Sequence, residues 1–176
     1  MWYTPKVVTP PTEPIDVAAA KKQLNVFHDD HDGYIGELIS AARDHVEKYC
    51  GAAFASRDIE IEADAWSDLA RLPVLPVSGI TAIAYVDSDG ATVTLPDTVY
   101  ELRGDGIILK FSQTWPARQR GSLITVTATV GFETCPPAVR HAMLLWIDSA
   151  YENRETGEQL PWTTFDALLS NYRFYS

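Results

Sequence analysis

Tyr34-Ile35-Gly36-Glu37-Leu38-Ile39-Ser40-Ala41-Ala42-Arg43-Asp44-His45-Val46-Glu47-Lys48-Tyr49-Cys50-Gly51 repeats its apolar side chains every three to four residues. A short way on, Arg57-Asp58-Ile59-Glu60-Ile61-Glu62-Ala63 repeats them every second residue. The first spacing puts Tyr34, Ile35, Leu38, Ile39, Ala42, Val46 and Tyr49 on one face of an amphipathic helix. The second places Ile59, Ile61 and Ala63 on one face of a half-exposed strand, with Asp58, Glu60 and Glu62 on the other. A chain that changes period within one stretch holds helix and sheet in sequence. Gly51 stands where a helix ends in a left-handed residue, while Gly33 and Gly36 weaken the helix start and blur its boundary.

Toward the N-terminus, Asp16 caps a short helix running from Val17 to Leu24 and ending near Asn25. Pro5, Pro10, Pro11 and Pro14 forbid a helix over residues 1–14 and favour an extended arm lying on another element. Toward the C-terminus, Ile80–Val86 and Ala91–Leu95 flank Ser88-Asp89-Gly90 as a hairpin whose tight turn needs positive φ. Val99–Leu102 and Ile107–Phe111 form a second pair across Arg103-Gly104-Asp105-Gly106. Leu123–Val130 alternates Ile124, Val126, Ala128 and Val130 with threonines and is expected to close the sheet.

Pro136-Pro137 then opens a second long helix with the stripe Val139, Ala142, Met143, Trp146, Ile147 and Ala150. After the polar stretch from Glu152 to Gln159 come Pro161, Trp162 and a short amphipathic piece carrying Phe165, Leu168, Leu169 and Tyr172. The fold class expected is α+β, a helical bundle of two long and two short helices with an inserted antiparallel β region. The long helices, 34–50 and 137–151, should pack together and bury Leu38, Val46, Met143 and Trp146. The domain boundaries expected are an arm over 1–14, one connected α+β domain over 15–160 and an aromatic helical tail over 161–176.

Composition narrows the function. A chain of 176 residues with 46% hydrophobic and 22% charged residues is ordinary globular protein, and at this length roughly 70% of the unfolded surface can be buried. No apolar run approaches the roughly 18–20 residues that cross a bilayer, and the opening residues lack the pattern of a secretory signal, so synthesis in the cytoplasm without membrane association is expected. The formal net charge of −10 repels phosphate backbones and disfavours nucleic acid as principal ligand. Cys50 and Cys135 have no C-x-x-C partner or neighbouring ligand histidine and read as two buried thiols.

A catalytic constellation is not evident: Ser78-Gly79 lies outside any nucleophile elbow, and Gly104-Asp105-Gly106 is too short to cradle a phosphate. Glu60 and Glu62 fit a solvated sheet surface. His28-Asp29-Asp30-His31-Asp32 precedes the first long helix, where acids complement the helix dipole; its residues lack a metal-ligand spacing. An active site assembled from distant positions stays open, and a small hydrolase using His28, His31 and the acids around them is the enzymatic alternative. Lys110, Arg118 and Arg120 gather around Trp115-Pro116. A solvated hairpin and a protein contact both fit that cluster, since Trp and Arg dominate binding hot spots.

The ordered series Glu13-Pro14-Ile15-Asp16-Val17-Ala18-Ala19-Ala20-Lys21-Lys22-Gln23-Leu24, then Leu38–Gly51, Leu75-Pro76-Val77-Ser78-Gly79-Ile80, Trp115-Pro116, Gly131-Phe132 and Pro137-Ala138-Val139-Arg140-His141-Ala142 resembles the tailed-bacteriophage head-tail connector family. These gp6-like adaptor or head-completion proteins have counterparts in gene transfer agents. Tyr151–Glu155 and Leu168–Arg173 extend the resemblance along essentially the whole chain. Order and spacing carry it, since each segment alone is only a helix or strand signal. Asp16 stands where a hydroxyl cap is more usual and caps equally well.

The resemblance implies a non-enzymatic virion component at the head-tail interface, assembled from the host cytoplasm and needing no cofactor or metal. Copies would form a ring, expected to be dodecameric, joining the portal protein to a neck or tail-completion protein after DNA packaging, with DNA passing through the lumen without specific binding. A later neck or tail-completion protein is the structural alternative. Family usage points to the C-terminal segment as the portal contact, with Trp162, Phe165, Leu168, Leu169, Tyr172, Arg173, Phe174 and Tyr175 as its residues. Trp115, Arg118 and Arg120 are the candidates for contact with a neighbouring subunit or the neck. Residues 162–176 crowd so much apolar surface that a free docking segment is expected, folding back onto the β region as core being the other outcome.

Overall fold

Helix ends fall where the sequence supplies caps. In the computed structural model, which describes residues 1–153 and 162–174 without the side chains of residues 162 and 163, α1 spans Val17–Leu24. Asp16 Oδ1 accepts the Ala19 N–H at 2.6 Å, and Asn25 ends the helix at φ 55°. Helix α2 spans Asp32–Cys50 and stops at Gly51, φ 66°. It starts ahead of Tyr34 because the Ile35 N–H already reaches the His31 carbonyl at 2.8 Å, so the loose glycines at 33 and 36 lie inside a bonded turn. Helix α3, Pro137–Glu152, begins with a proline whose missing N–H costs nothing in a first turn. Helix α4, Trp162–Leu169, runs on into a 3-10 turn over Ser170–Tyr172.

The chain divides into two compact units. One comprises residues 12–55 together with the chain from Phe132 onward; the other comprises 1–11 and 56–131. The helical unit is therefore discontinuous in sequence, and the β unit is the insertion. Its helices share one core: Ile35, Leu38, Ile39, Ala42 and Val46 of α2 are buried with Val139, Ala142, Met143 and Ile147 of α3, and Ile15 and Ala20 close it from the α1 side. Trp146 departs from its expected burial. It is half-buried at the flank of this core, with its ring stacked on His45 at 5.8 Å between centroids.

In the β unit, strands β1 (Lys6–Val7), β2 (Arg57–Ala63), β3 (Val77–Val86), β4 (Thr92–Thr94) and β7 (Ile124–Val130) form one antiparallel sheet in the order β1-β2-β7-β3-β4. Strands β5 (Tyr100–Arg103) and β6 (Gly106–Leu109) make a separate two-stranded sheet. The strand expected to close the sheet, β7, lies at its centre instead. Val126 is paired with Ile61 on one side and Ile83 on the other, and Ile124, Val126, Ala128 and Val130 are buried. The proline-rich arm lies where its extended conformation can pair, Lys6 opposite Glu60 and Val7 opposite Ile59. Lys6 Nζ comes within 3.6 and 3.7 Å of Glu60 and Glu62, which places both acids on a solvated rim. Trp2 Nε1 donates to the Arg71 carbonyl at 2.8 Å and Tyr3 OH to Asp64 at 3.0 Å. Among the described residues no helix is long and apolar enough to cross a membrane.

Gly106 begins β6 against the 3-10 turn Trp66–Ala70, and a Cβ there would sit 2.0 Å from the Ala70 carbonyl oxygen. Backbone, not a flexible side chain, fills that space. Gly106→Ala should therefore destabilise the protein by about 1–3 kcal/mol, the usual cost of forcing atoms into packed structure. Unfolding in urea measures it, and an unchanged midpoint would mean the approach is looser than drawn. In the helical unit, Met143→Ala should cost about 2–5 kcal/mol as a buried large-to-small change. Trp146→Ala should cost less than Met143→Ala in the same assay, despite the larger side chain, because its ring keeps solvent contact.

Candidate functional site

Two segments carry the residues singled out as contacts, one in each unit. In the helical unit, α4 lies along the core with Phe165 and Leu169 buried, 5% and 0% exposed. Phe165 packs edge-on to Tyr49 at 5.4 Å and near His45 at 5.6 Å. Leu168 and Tyr172 are half-buried beside the same core, and Tyr172 meets the buried Phe54 ring edge-on at 6.1 Å. Among the described residues, the tail thus buries part of its apolar surface within its own unit. The i, i+4 pair Phe165 and Leu169, expected to face the portal, faces α2 and α3 instead. The described part of the tail folds back onto the helices of its own unit.

Beyond the helix the chain stays fastened. The Phe174 N–H donates to the Cys50 carbonyl at 2.8 Å, which satisfies a carbonyl left open at the end of α2. Gly51 is required beside it, since a Cβ there would meet the Phe174 carbonyl at 2.8 Å and φ is positive. Arg173 is exposed, with its guanidinium 4.9 Å above the Tyr49 ring, and Phe174 is 43% exposed. Arg173 and Phe174 thus lead the outward-facing part of the segment. The Trp162 side chain and Tyr175 lie outside the described residues.

In the β unit, the connection from β6 to β7 is folded over a tryptophan stack. Trp115 lies parallel to Trp66, 4.8 Å apart and 3° from coplanar, and Trp66 Nε1 donates to the Pro116 carbonyl at 3.1 Å. The Arg118 guanidinium donates to the Ser122 carbonyl and to the Asp64 carbonyl. Trp115 and Arg118, expected as contacts with another chain, are used inside their own unit to hold the loop. Arg120 is exposed. Phe111, expected as the last residue of a strand, lies beyond the end of β6 and is 98% exposed. A turn closed by the Gln113 N–H on the Lys110 carbonyl at 3.1 Å carries it outward, with Ser112 at φ 63°. Sequence reading missed this residue because an apolar side chain after a strand pattern looks like the strand's continuation.

The histidine-acid cluster is organised by local pairs. Lys21 Nζ lies 2.6 Å from Asp29 and 2.7 Å from Asp32, and its charge holds the Asp29 carboxyl below the ordinary aspartate range. His31 Nδ1 is 2.5 Å from Tyr151 OH, and the His28 ring sits edge-on to His31 at 4.7 Å. No group of three or more His, Cys, Asp or Glu among the described residues could hold a metal ion. Burial pushes the Cys50 and Cys135 thiols up to about 11, so both stay protonated near neutrality and are poor nucleophiles. Burial lowers the His45 pKa, with Lys48 adding to the effect, which favours the neutral imidazole where it meets Trp146 and Phe165.

Removing residues 162–176 should expose the side of the core that Phe165 and Leu169 cover and cost about 3 kcal/mol or more, in line with loss of buried large side chains. Removing only residues 174–176 should shift the thermal midpoint little. Equal midpoints for the two truncations would show that α4 is not core. Arg118→Ala should cost about 1–3 kcal/mol, the range for a charged donor leaving carbonyl partners unmet, and should quench less of the Trp66–Trp115 exciton signal in near-ultraviolet circular dichroism than Trp115→Ala does.

Residues 14–84 match the model of a family described as phage gp6-like head-tail connector protein. The fold is similar to that of a chain in the neck of an empty gene transfer agent particle computed with C6 symmetry, at TM-score 0.82 and 22% identity, covering 99% of this chain and 97% of that one. The same values hold for a chain of the native gene transfer agent virion. A chain of the native neck computed with C12 symmetry gives TM-score 0.80 and 23% identity, with coverage of 99% and 97%. No curated protein matches. Residues 14–84 thus carry the sequence pattern of that family model, and nearly the whole chain shares the fold of the gene transfer agent chains.

Proposed function

We propose that the protein is a structural head-tail adaptor, without enzymatic activity, whose copies form a ring in the neck of a tailed phage or gene transfer agent particle. The ring, expected to be dodecameric, joins the portal to a neck or tail-completion protein after DNA is packaged. The observation that carries this reading is a connector sequence pattern within a chain that folds, end to end, like a neck component. Symmetric necks among the similar structures favour a ring. A net charge of −10 suits a channel in which DNA slides without being held.

Portal contact would fall on what the C-terminal segment leaves outward: Arg173 and Phe174, flanked by half-buried Leu168 and Tyr172; the Trp162 side chain and Tyr175, which lie outside the described residues, complete the proposed set. Phe165 and Leu169 serve by holding the segment in place. A contact of this kind uses an aromatic and an Arg as anchors. Isolated subunits are expected to be monomeric, because a ring is built from heterologous interfaces that close when the geometry is templated. Assembly begins in the host cytoplasm and ends in the virion.

Cryo-electron microscopy of the particle tests the assignment. An adaptor places this chain in a ring directly on the portal, with residues near 173–175 at the contact. Finding it further down the neck, away from the portal, would establish the alternative of a later neck or tail-completion protein.

A further inference from the structure

Each unit presents one fully exposed phenylalanine on a braced loop, and the two loops have opposite charge. Phe27 is 91% exposed between α1 and α2. Its loop is held by the Val26 N–H on the Lys21 carbonyl at 3.0 Å and by Lys21 Nζ on Asp29 and Asp32. Residues 23–42 contain Asp29, Asp30, Asp32 and Glu37 and no Lys or Arg. Asp30 is 90% exposed, and its one ion-pair neighbour is the His28 ring at 3.6 Å.

Phe111, in the β unit, lies in the reverse setting. Residues 106–132 contain Lys110, Arg118 and Arg120 and no acid, in a chain that has 24 acids. The Lys110 N–H is bonded to the Val99 carbonyl at 3.0 Å and its Nζ to the Asp97 carbonyl at 2.7 Å, so the base of the Phe111 turn is fixed. Arg118 is committed to backbone carbonyls, whereas Arg120 is exposed and makes no ion pair among the described residues.

We propose that these loops are the two halves of one heterologous contact between copies of this chain: Phe111, Lys110 and Arg120 of one copy dock against Phe27 and Asp30 of the next. The inference rests on the ring reading above and names the surface that makes it. Copies with a net charge of −10 repel unless a basic patch on one meets an acidic patch on another. The acid-free loop is a ready basic patch, and the Phe27 loop, where Lys21 is taken up by Asp29 and Asp32 and Asp30 stays exposed, is its complement. Two large apolar side chains held in water by braced backbone supply the buried centre of such a contact, with little ordering entropy left to lose. Because donor and acceptor loops differ, the contact is head-to-tail and propagates around a ring, as an isologous one could not.

The test is site-directed cross-linking of particles assembled with full-length chain. Phe27→Cys and Phe111→Cys in one chain should give a ladder of covalent multimers on mild oxidation, while either substitution alone should give none. Incorporation of the double variant without a ladder overturns the contact and leaves the ring standing. A Phe111→Cys chain that forms its own dimers, or cross-links only to another neck protein, overturns it too. A wild-type chain missing from particle necks sinks the connector reading itself. Should the cysteine variant fail to enter particles, charge reversal decides. Arg120→Glu should lower incorporation about tenfold, the scale of losing one close interfacial charge pair, and Asp30→Lys in the same chain should restore it. Incorporation of Arg120→Glu at the wild-type level contradicts the proposal.

Discussion

Packing of α2 against α3 is the interaction on which the rest of the structure depends. The two helices lie on opposite sides of a long insertion in the sequence, so their shared core, with Val46 and Met143 at 0% exposure, is what turns two chain segments into one unit. α1 and α4 each have only eight residues, too short to be stable alone in water. Each is held because the α2–α3 core offers a surface on which Ala20 or Phe165 and Leu169 can be buried. The cap at Gly51 serves the same end, turning the chain at the foot of α2 while the Phe174 N–H satisfies the Cys50 carbonyl.

This economy bears on the adaptor role proposed above. Among its described residues the aromatic tail gives Phe165 and Leu169 to the core and leaves Arg173 and Phe174 exposed, so a partner contact as proposed above would centre on that pair. The β unit follows the same rule. Its tryptophans stack on each other and Arg118 ties the loop to the backbone, so the exposed residues of that loop are held in fixed positions. Fixed loops and a fastened terminus suit a subunit whose function is to meet other chains with defined geometry.

Much of this was legible in the sequence where one physical signal dominates. Periodicity located α2, α3 and α4, the Asp16 cap located α1, and alternation found β2 and the buried face of β7. Sequence order could not show that β7 is central, because alternation reports which face is buried and says nothing about how many edges are paired. The arm was read as extended from its prolines; its pairing with β2 brings Lys6 and Val7 opposite Glu60 and Ile59, residues far away in the chain. Trp146 and Phe165 show the limit of helical stripes. Both sit on apolar faces, yet one lies at the flank of the core and the other within it. Trp115 and Arg118 look like contact residues by type, and only the position of Trp66, in a turn that periodicity does not reveal, shows that they are engaged internally.

The central claim, that the helical unit is closed by α2 and α3 independently of the inserted β unit, has a direct measurement. Phe54 and Phe132 stack at 5.6 Å between centroids, 10° from parallel, so the chain leaves and re-enters the helical unit at neighbouring points. A few glycines should bridge Ala55 to Phe132 in place of residues 56–131. The account predicts that this shortened chain, followed by far-ultraviolet circular dichroism on heating, is helical and melts in one cooperative transition. A chain without helical signal, or one that loses it gradually with no transition, would contradict it.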